Sequence, residues 1–176
     1  MEKILDILNE KNVWSTIFVT GDFIIKEHAL TLRMTYEGHT VGNHTWKHKN
    51  ITKLSFEELE NEIKKVEDAY FKLTNQPMTK YFRPPAGEFN KEALKNVQKL
   101  GYSTFFWSLA YKDWETKNQR GADVAYKSVM DNLHNGAIIL MHTVSTSNLE
   151  ALPRIIDGIR EKGYEIKNLD YLLKNS

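Results

Sequence analysis

The stretch VWSTIFVTGDFIIKEHALTLRMTYEGHTVGN, residues 13–43, decides the fold class. Residues 13–20 are rich in β-branched and aromatic side chains, which is typical of a strand. A helical pattern follows to about Tyr36, and residues 39–43 predict a second short strand. A strand, a helix and another strand in this order predict a parallel pair with a helical crossover.

The same alternation continues along the chain. Further strands are predicted at residues 80–83, 102–107, 137–141 and 164–166. The run at 137–141 is uninterrupted and apolar, which is typical of a fully buried strand. Six strands that alternate with helices predict an α/β fold with a parallel sheet, either open or rolled into a barrel.

The helix predicted after Ser55 has the strongest signature. Ser55 and Glu58 form a capping box. The apolar stripe of this helix consists of Leu59, Ile63, Val66, Tyr70 and Leu73. Asn90 and Ser147 are predicted to cap later helices. Residues 1–10 read as an amphipathic helix with neither an N-cap residue nor a strand before it, so we expect the chain to start in the middle of a fold.

Composition excludes several classes of protein. The length of 176 residues predicts a single domain over residues 1–176. The 24 Lys and Arg nearly cancel the 23 Asp and Glu, so no basic excess points to nucleic acid. The longest apolar run, residues 137–141, is far too short to span a membrane. The chain has no cysteine, which excludes disulfides and thiolate chemistry.

Polar side chains able to do chemistry follow the predicted strands. His44 and His48 come after the second strand, Arg83 ends the third, Asp113 lies in the loop after the fourth, and His142 follows the fifth. Ligands of parallel α/β folds bind at the carboxyl ends of the strands. We therefore expect these side chains to converge on an active site.

His44 and His48 are spaced four residues apart, which on one helical turn places both imidazoles on the same face. Neutral imidazole binds zinc and several related divalent metals. A catalytic metal site usually has a third protein ligand, and none is adjacent in the sequence. A pair of solvent-exposed loop histidines is the alternative.

The other candidates also have two interpretations. Two prolines after Arg83 fix the direction of its guanidinium and of the next backbone N–H groups, or form a turn beside a surface arginine. Asp113 and Trp114 lie among aromatic residues that suit a sugar ring or a core. His142 is either a satisfied core histidine or, with a carboxylate beside it, a general acid.

Taken in order, the motifs H-x3-H (44–48), R-P-P (83–85), D-W (113–114) and L-x-H (140–142) resemble the polysaccharide deacetylases of carbohydrate esterase family four. Residues 107–114 and 140–145, with Asn148 and Glu150 beyond them, look most similar to the delta-lactam-biosynthetic de-N-acetylases. Members of that branch act on muramic acid in spore-cortex peptidoglycan.

The resemblance implies a distorted barrel of seven β/α units, of which this chain would lack the first strand. It implies hydrolysis of an acetamide with a divalent metal, commonly zinc, held by His44 and His48. The metal would polarise the carbonyl and lower the pKa of a bound water toward ~7. The backbone N–H of Ala86 would help to hold the oxyanion.

The resemblance also assigns the remaining roles. His142 would protonate the departing amine, with Asp113 tuning it. Arg83 would orient an aspartate base, and Trp114 and Leu140 would line the acetyl pocket. The products would be acetate and a free amine on the sugar.

The sequence departs from the family pattern in two places. The first motif of the family, Thr-Phe-Asp-Asp-Gly or Phe-Asp-Asn-Gly, supplies the catalytic base and is missing, since no Asp-Asp pair occurs. Asp22, at the end of the first predicted strand, is a conceivable substitute ligand. The branch tends to carry arginine where this chain has Ala86. We therefore expect little deacetylase activity from this polypeptide by itself.

The expected partner is an N-acetylated polysaccharide or peptidoglycan, and the resemblance suggests a location outside the cytoplasmic membrane, in the cell wall or spore cortex. Without a preceding strand, residues 13–20 would form an apolar edge on which a second copy could pair. Two alternatives stay open: a carbohydrate-binding remnant without activity, and a generic βα protein whose histidines bind nothing.

Overall fold

The computed structural model describes residues 1–174 and contains a four-stranded parallel sheet with the order β1-β2-β3-β4. The strands are β1 (Thr16–Val19), β2 (Thr40–Asn43), β3 (Tyr81–Phe82) and β4 (Ser103–Thr104). All three neighbouring pairs are parallel, which confirms the α/β class.

The helices alternate with these strands and continue beyond them. They are α1 (Glu2–Glu10), α2 (Gly21–Lys26), α3 (His28–Tyr36), α4 (Phe56–Thr74), α5 (Lys91–Lys99), α6 (Ala122–Met130), α7 (Thr146–Glu161) and α8 (Asp170–Lys174). Short 3-10 turns occupy Ile51–Lys53 and Pro85–Gly87. The chain divides into two compact units, one formed by Thr16–Phe106 and the other by Met1–Ser15 together with the chain from Trp107 onward.

The unit formed by Thr16–Phe106 contains the whole sheet. Its helix α4 begins at the predicted capping box, in which the Ser55 hydroxyl accepts from the Glu58 N–H and the Glu58 carboxylate accepts from the Ser55 N–H. The core cluster of this unit consists of Ile51, Leu59, Ile63, Phe82, Ala93, Val97 and Tyr102. The predicted apolar stripe of α4 thus faces the core.

Gly42 of β2 leaves room for the Phe18 side chain of the neighbouring strand β1. Phe18 is its partner in the register, and a Cβ atom at Gly42 would lie 2.7 Å from the Phe18 ring. A Cβ atom essentially never lies that close to another non-bonded heavy atom, so glycine at 42 permits this placement of the aromatic ring. The ring in turn lies 5.2 Å from the Arg83 guanidinium carbon.

The second unit is mostly helical. Helices α6 and α7 enclose a core cluster of Leu109, Ala125, Val129, Met130, Ala151, Ile155 and Ile159. Helix α1 packs on α7 through a cluster of Ile4, Leu8, Val13 and Ile156. The predicted amphipathic helix at the start of the chain is therefore an integral part of this core.

The prediction of six strands and a barrel is not confirmed, because four strands form within residues 1–174. The run 137–141 makes a single parallel bridge, between Ile139 and Leu109, and its side chains are half-buried rather than fully buried. At 164–166, Tyr164 and Ile166 pack against the core without pairing as a strand. Both runs are apolar because they pack against the core, and apolar composition predicts a strand even where the backbone forms no ladder.

The cap of α7 also differs from the prediction. Ser145, in extended conformation, is the N-cap residue, and its hydroxyl accepts from the Asn148 N–H at 3.1 Å. Ser147 lies inside the helix, where its hydroxyl accepts from the Gly121 N–H at 2.9 Å. Serine is a favoured N-cap residue at either position, so the sequence does not show which of the two serines begins the helix.

None of the helices within residues 1–174 combines the length and the apolar character needed to cross a membrane.

Candidate functional site

The structure brings His44 and His48 together in the loop after β2. Their ring centroids lie 4.8 Å apart in an edge-to-face arrangement. His44 is buried, whereas His48 is exposed. The spacing predicted a helical turn, but the pair is instead held by an irregular loop.

That loop has a strained backbone. Thr45 and His48 both adopt the left-handed region, with φ of 66° and 54°. Such conformations cost of order 1–3 kcal/mol each for residues other than glycine, so the surroundings must hold them. Asn43 is one such support, since its Oδ1 accepts from the Thr45 N–H at 3.0 Å while its Nδ2 donates to the Ile63 carbonyl at 3.0 Å.

Glu62 of α4 is a second support that the sequence analysis missed. Its side chain is 5% exposed. One carboxylate oxygen accepts from the Lys47 N–H at 2.9 Å, and the other pairs with the Lys49 ammonium at 2.9 Å. Both partners lie in or next to the histidine loop. The signal was present in the sequence, because Glu62 falls on the apolar stripe between Leu59 and Ile63.

Arg83 fixes the tautomer of His44. The His44 Nδ1 lies 2.6 Å from the Arg83 carbonyl oxygen. A carbonyl only accepts, so Nδ1 carries the proton and the neutral ring has its lone pair on Nε2. The Arg83 guanidinium lies 3.3 Å from that Nε2 and donates to it.

The donor chemistry of the histidine pair fits two ligands of a divalent metal. A hydrogen bond from Nδ1 to a carbonyl is the usual outer contact of a metal-binding histidine. Within residues 1–174, however, no three His, Asp or Glu side chains are grouped to hold a metal. Asp22 is not grouped with the histidine pair in these residues, and its carboxylate pairs with the Lys47 ammonium at 2.6 Å.

Ala86 lies in the turn after β3 that the two prolines initiate. Its φ of 54° and ψ of 10° are left-handed. The N–H groups of Gly87 and Glu88 donate to the carbonyls of Pro84 and Pro85. The turn therefore holds Ala86 in a conformation that a chain without this rigid frame would rarely adopt.

In the other unit, the buried Asp113 pairs with His142, whose side chain is 32% exposed. The Asp113 side chain is 1% exposed, and its Oδ1 lies 2.7 Å from the His142 Nδ1. Its Oδ2 accepts from the His142 main-chain N–H at 2.7 Å and from the Asn148 amide at 2.6 Å. Asp113 is therefore the carboxylate whose presence beside His142 favours the interpretation of His142 as a general acid.

These contacts decide the charge of Asp113. Burial by itself would raise the pKa of the carboxyl group. Hydrogen bonds from the His142 ring, from the His142 main chain and from Asn148 outweigh burial and hold the pKa below its usual range. Asp113 is therefore ionised at neutral pH, and the His142 Nδ1–H donates to it.

Trp114 lies beside this pair, and Leu140 is two residues before His142 in the chain. The Trp114 ring is 52% exposed and lies 5.7 Å from the His142 ring, centroid to centroid. Leu140 is half-buried and its N–H donates to the Leu109 carbonyl. About half of the Trp114 surface is therefore exposed to solvent.

Three further polar residues of this unit had no hydrogen-bonding role predicted from the sequence. Asn148 and Tyr111 extend the hydrogen bonds of Asp113, and Gln119 joins the Asp113 loop to the start of α7. Their spacing along the chain carries no periodic signal, because loops bring them together. Asn148 entered the sequence analysis only as part of the family resemblance, with no role assigned to it.

The family assignment follows from comparison with known proteins. A model of the polysaccharide deacetylase family matches residues 1–105. The chain belongs to the polysaccharide deacetylase family, and its resemblance to carbohydrate esterases of family four is confirmed by solved structures.

Similar proteins come from Bacillus. The peptidoglycan-N-acetylmuramic acid deacetylase PdaA of Bacillus subtilis is 40% identical over 97% of this chain, which spans 65% of that relative's length. The solved structure of PdaA, a family 4 carbohydrate esterase, has a TM-score of 0.96 at 39% identity, over 99% of this chain and 75% of that one. A family 4 pseudoenzyme from Bacillus anthracis has a TM-score of 0.89 at 31% identity, over 98% and 59%.

We predict that Glu62 controls the order of the histidine loop. Glu62→Leu leaves the Lys47 N–H without its acceptor and should lower the free energy of unfolding by about 1–3 kcal/mol. The Lys47 amide should exchange hydrogen faster. Glu62→Gln keeps an acceptor and is the matched control, with protection retained. Unchanged Lys47 protection in Glu62→Leu would contradict this prediction.

We predict a pH-dependent contribution of Asp113 to stability. A carboxyl group whose pKa is lowered on folding stabilises the fold above its unfolded pKa of about 4, and the contribution is lost as the pH falls through the lower folded pKa. Asp113→Asn should therefore lose about 1–3 kcal/mol at about pH 5 and much less at about pH 3. Urea unfolding measures both. Asp131→Asn, at an exposed site, is the matched control, and equal losses at the two pH values would refute this explanation.

Proposed function

We propose that this chain is a metal-dependent hydrolase of peptidoglycan that removes N-acetyl groups from amino sugars, with N-acetylmuramic acid as the substrate sugar. The observation that carries the proposal is the pairing of His142 with the buried Asp113 in a chain of the polysaccharide deacetylase family. The proposed location is the cell wall or spore cortex, where this substrate occurs.

His44 and His48 would hold the divalent metal, for which we propose Zn²⁺. The metal would polarise the acetamide carbonyl and lower the pKa of a water molecule. The Ala86 N–H would donate to the developing oxyanion. The Arg83 guanidinium, which lies against Phe18 and His44, would orient a carboxylate base.

His142 would act as the general acid. Its Nδ1–H donates to Asp113, so Nε2 is the nitrogen that delivers a proton. A carboxylate base would take a proton from the water as the water oxygen bonds to the carbonyl carbon. The C–N bond would then break as the amine nitrogen takes the proton from His142. Acetate and a free amino sugar leave. Trp114 and Leu140 would line the pocket for the acetyl methyl group.

We further propose that hydrolysis by this polypeptide is impaired. Within residues 1–174, no carboxylate lies with His44 and His48 in a group of three side chains that could bind a metal ion. A missing general base typically removes a factor of ~10²–10⁴ in rate. The alternative is an inactive carbohydrate-binding protein, which the pseudoenzyme among the similar structures favours.

Acetate release and metal content test the proposal together. We expect slow acetate release from peptidoglycan that depends on added zinc and stops with a chelator, and mass spectrometry of the digested glycan should locate the loss on muramic acid. His48→Ala should lose bound zinc, whereas His142→Ala should keep zinc and lose the residual activity. Glycan binding without any acetate release would favour the inactive alternative, and zinc content that ignores His48→Ala would overturn the metal site.

We also propose that a second copy of the chain pairs along β1. Within residues 1–174 this strand pairs with β2 alone and stands at one end of the sheet order, which leaves a template for another strand. Light scattering at rising concentration should show a dimer. Ile17→Lys on the strand should abolish it, and Ile25→Lys, the same change at an exposed helical site, should not. A wild-type monomer at every concentration would refute the proposal.

A further inference from the structure

The Asn148 side chain is buried in the first turn of α7 and every polar atom of it is used. The residue is 2% exposed. Its Nδ2 donates to Asp113 Oδ2 at 2.6 Å and to the His142 carbonyl at 3.0 Å. Its Oδ1 accepts from the Tyr111 hydroxyl. One amide thus contacts both members of the His142–Asp113 pair.

Tyr111 decides which way the amide faces. Burial, and then the negative charge of Asp113, raise the pKa of the Tyr111 hydroxyl, so the hydroxyl stays protonated and donates. A flipped Asn148 would turn its oxygen toward the Asp113 carboxylate, which has no proton to offer. The amide oxygen therefore faces Tyr111, and the NH₂ group faces Asp113.

This orientation settles how Asp113 holds the ring. Two donors occupy Oδ2, namely the Asn148 amide and the His142 main-chain N–H. The second oxygen, Oδ1, is left for the His142 Nδ1–H. The carboxylate cannot rotate without giving up the Asn148 contact, so the ring keeps its proton on Nδ1.

A role limited to helix capping does not account for this side chain. The start of α7 is held by the Ser145 hydroxyl and the main-chain N–H of residue 148. Any residue other than proline at 148 keeps that bond. The side-chain contacts of Asn148 are therefore directed at the His142–Asp113 pair.

We propose that Asn148 is a positioning residue that, oriented by Tyr111, locks the Asp113 carboxylate and so fixes the Nδ1–H tautomer of His142. The consequence for catalysis rests on the proposed function, because a fixed tautomer keeps Nε2 as the proton-delivering nitrogen. The tautomer itself is a property of the folded chain and needs no activity.

The test is ¹⁵N NMR of the His142 ring in the full chain, at a pH where the imidazole is neutral, with signals assigned from a His142→Gln spectrum. The wild type should show the Nδ1–H tautomer. Asn148→Asp, which keeps the shape but loses both donated hydrogens, should lose this preference. Asn132→Asp makes the same change at an exposed site of the same unit and should leave the signal unchanged.

Tyr111→Phe keeps the ring and removes only the hydroxyl, so it provides a second variant if Asn148→Asp does not fold. We expect a partial loss of the tautomer preference. A folded Asn148→Asp or Tyr111→Phe protein with the wild-type ring signal would overturn the proposal.

Activity adds a separate measurement. Where acetate release is measurable, Asn148→Ala should lower kcat by about 10-fold to 100-fold with little change in KM, as expected for a misplaced acid. A KM raised by 10-fold to 100-fold with an unchanged kcat would contradict the positioning role. If the wild type releases no acetate, the proposed function fails, while the NMR result still decides the role of Asn148.

Discussion

The hydrogen bonds of Asn43 join the parts on which the histidine pair depends. Asn43 ends β2 and is fully buried. Its amide nitrogen donates to the Ile63 carbonyl of α4 and to the Tyr102 hydroxyl, and its oxygen accepts from the Thr45 N–H. A buried amide with unmet hydrogen bonds is costly, so these contacts form together or not at all. The strand end, the helix and the loop are thereby held in one arrangement.

The other unit uses a carboxylate for the same purpose. Asp113 accepts three hydrogen bonds, from the ring and the main chain of His142 and from Asn148. Gln119 adds a bridge from the same loop to the start of α7, where it accepts from the Ser145 hydroxyl and from the Ser147 N–H. In both units a buried polar side chain fixes a histidine-bearing loop, and the loop conformation is a consequence of that group.

Sequence patterns predict the parts of this structure that have a period or a local signal. The capping box at Ser55 and the first four strands have such signals, and each forms, although the strands are shorter than predicted. The runs 137–141 and 164–166 contain apolar residues that pack against the core, but neither run forms a strand. Composition does not distinguish an apolar segment that packs from one that pairs. Glu62 stands out as a charged residue on an apolar stripe, but that pattern does not reveal its partner Lys47, which is 15 positions away. Asn148 and its partner Asp113 are 35 positions apart, and no local pattern connects them.

The position of Arg83 links the histidine pair to the carboxylate that the family motif would provide. The guanidinium donates to His44 Nε2, which is the nitrogen whose lone pair a metal would take. A cation and a guanidinium cannot share that lone pair, so metal binding by His44 requires Arg83 to turn away. A neighbouring carboxylate would provide a bidentate partner that draws it off, since arginine prefers such a partner to an imidazole. A carboxylate base would therefore have two roles. It would accept the water proton, and it would draw the Arg83 guanidinium away from the Nε2 atom of His44.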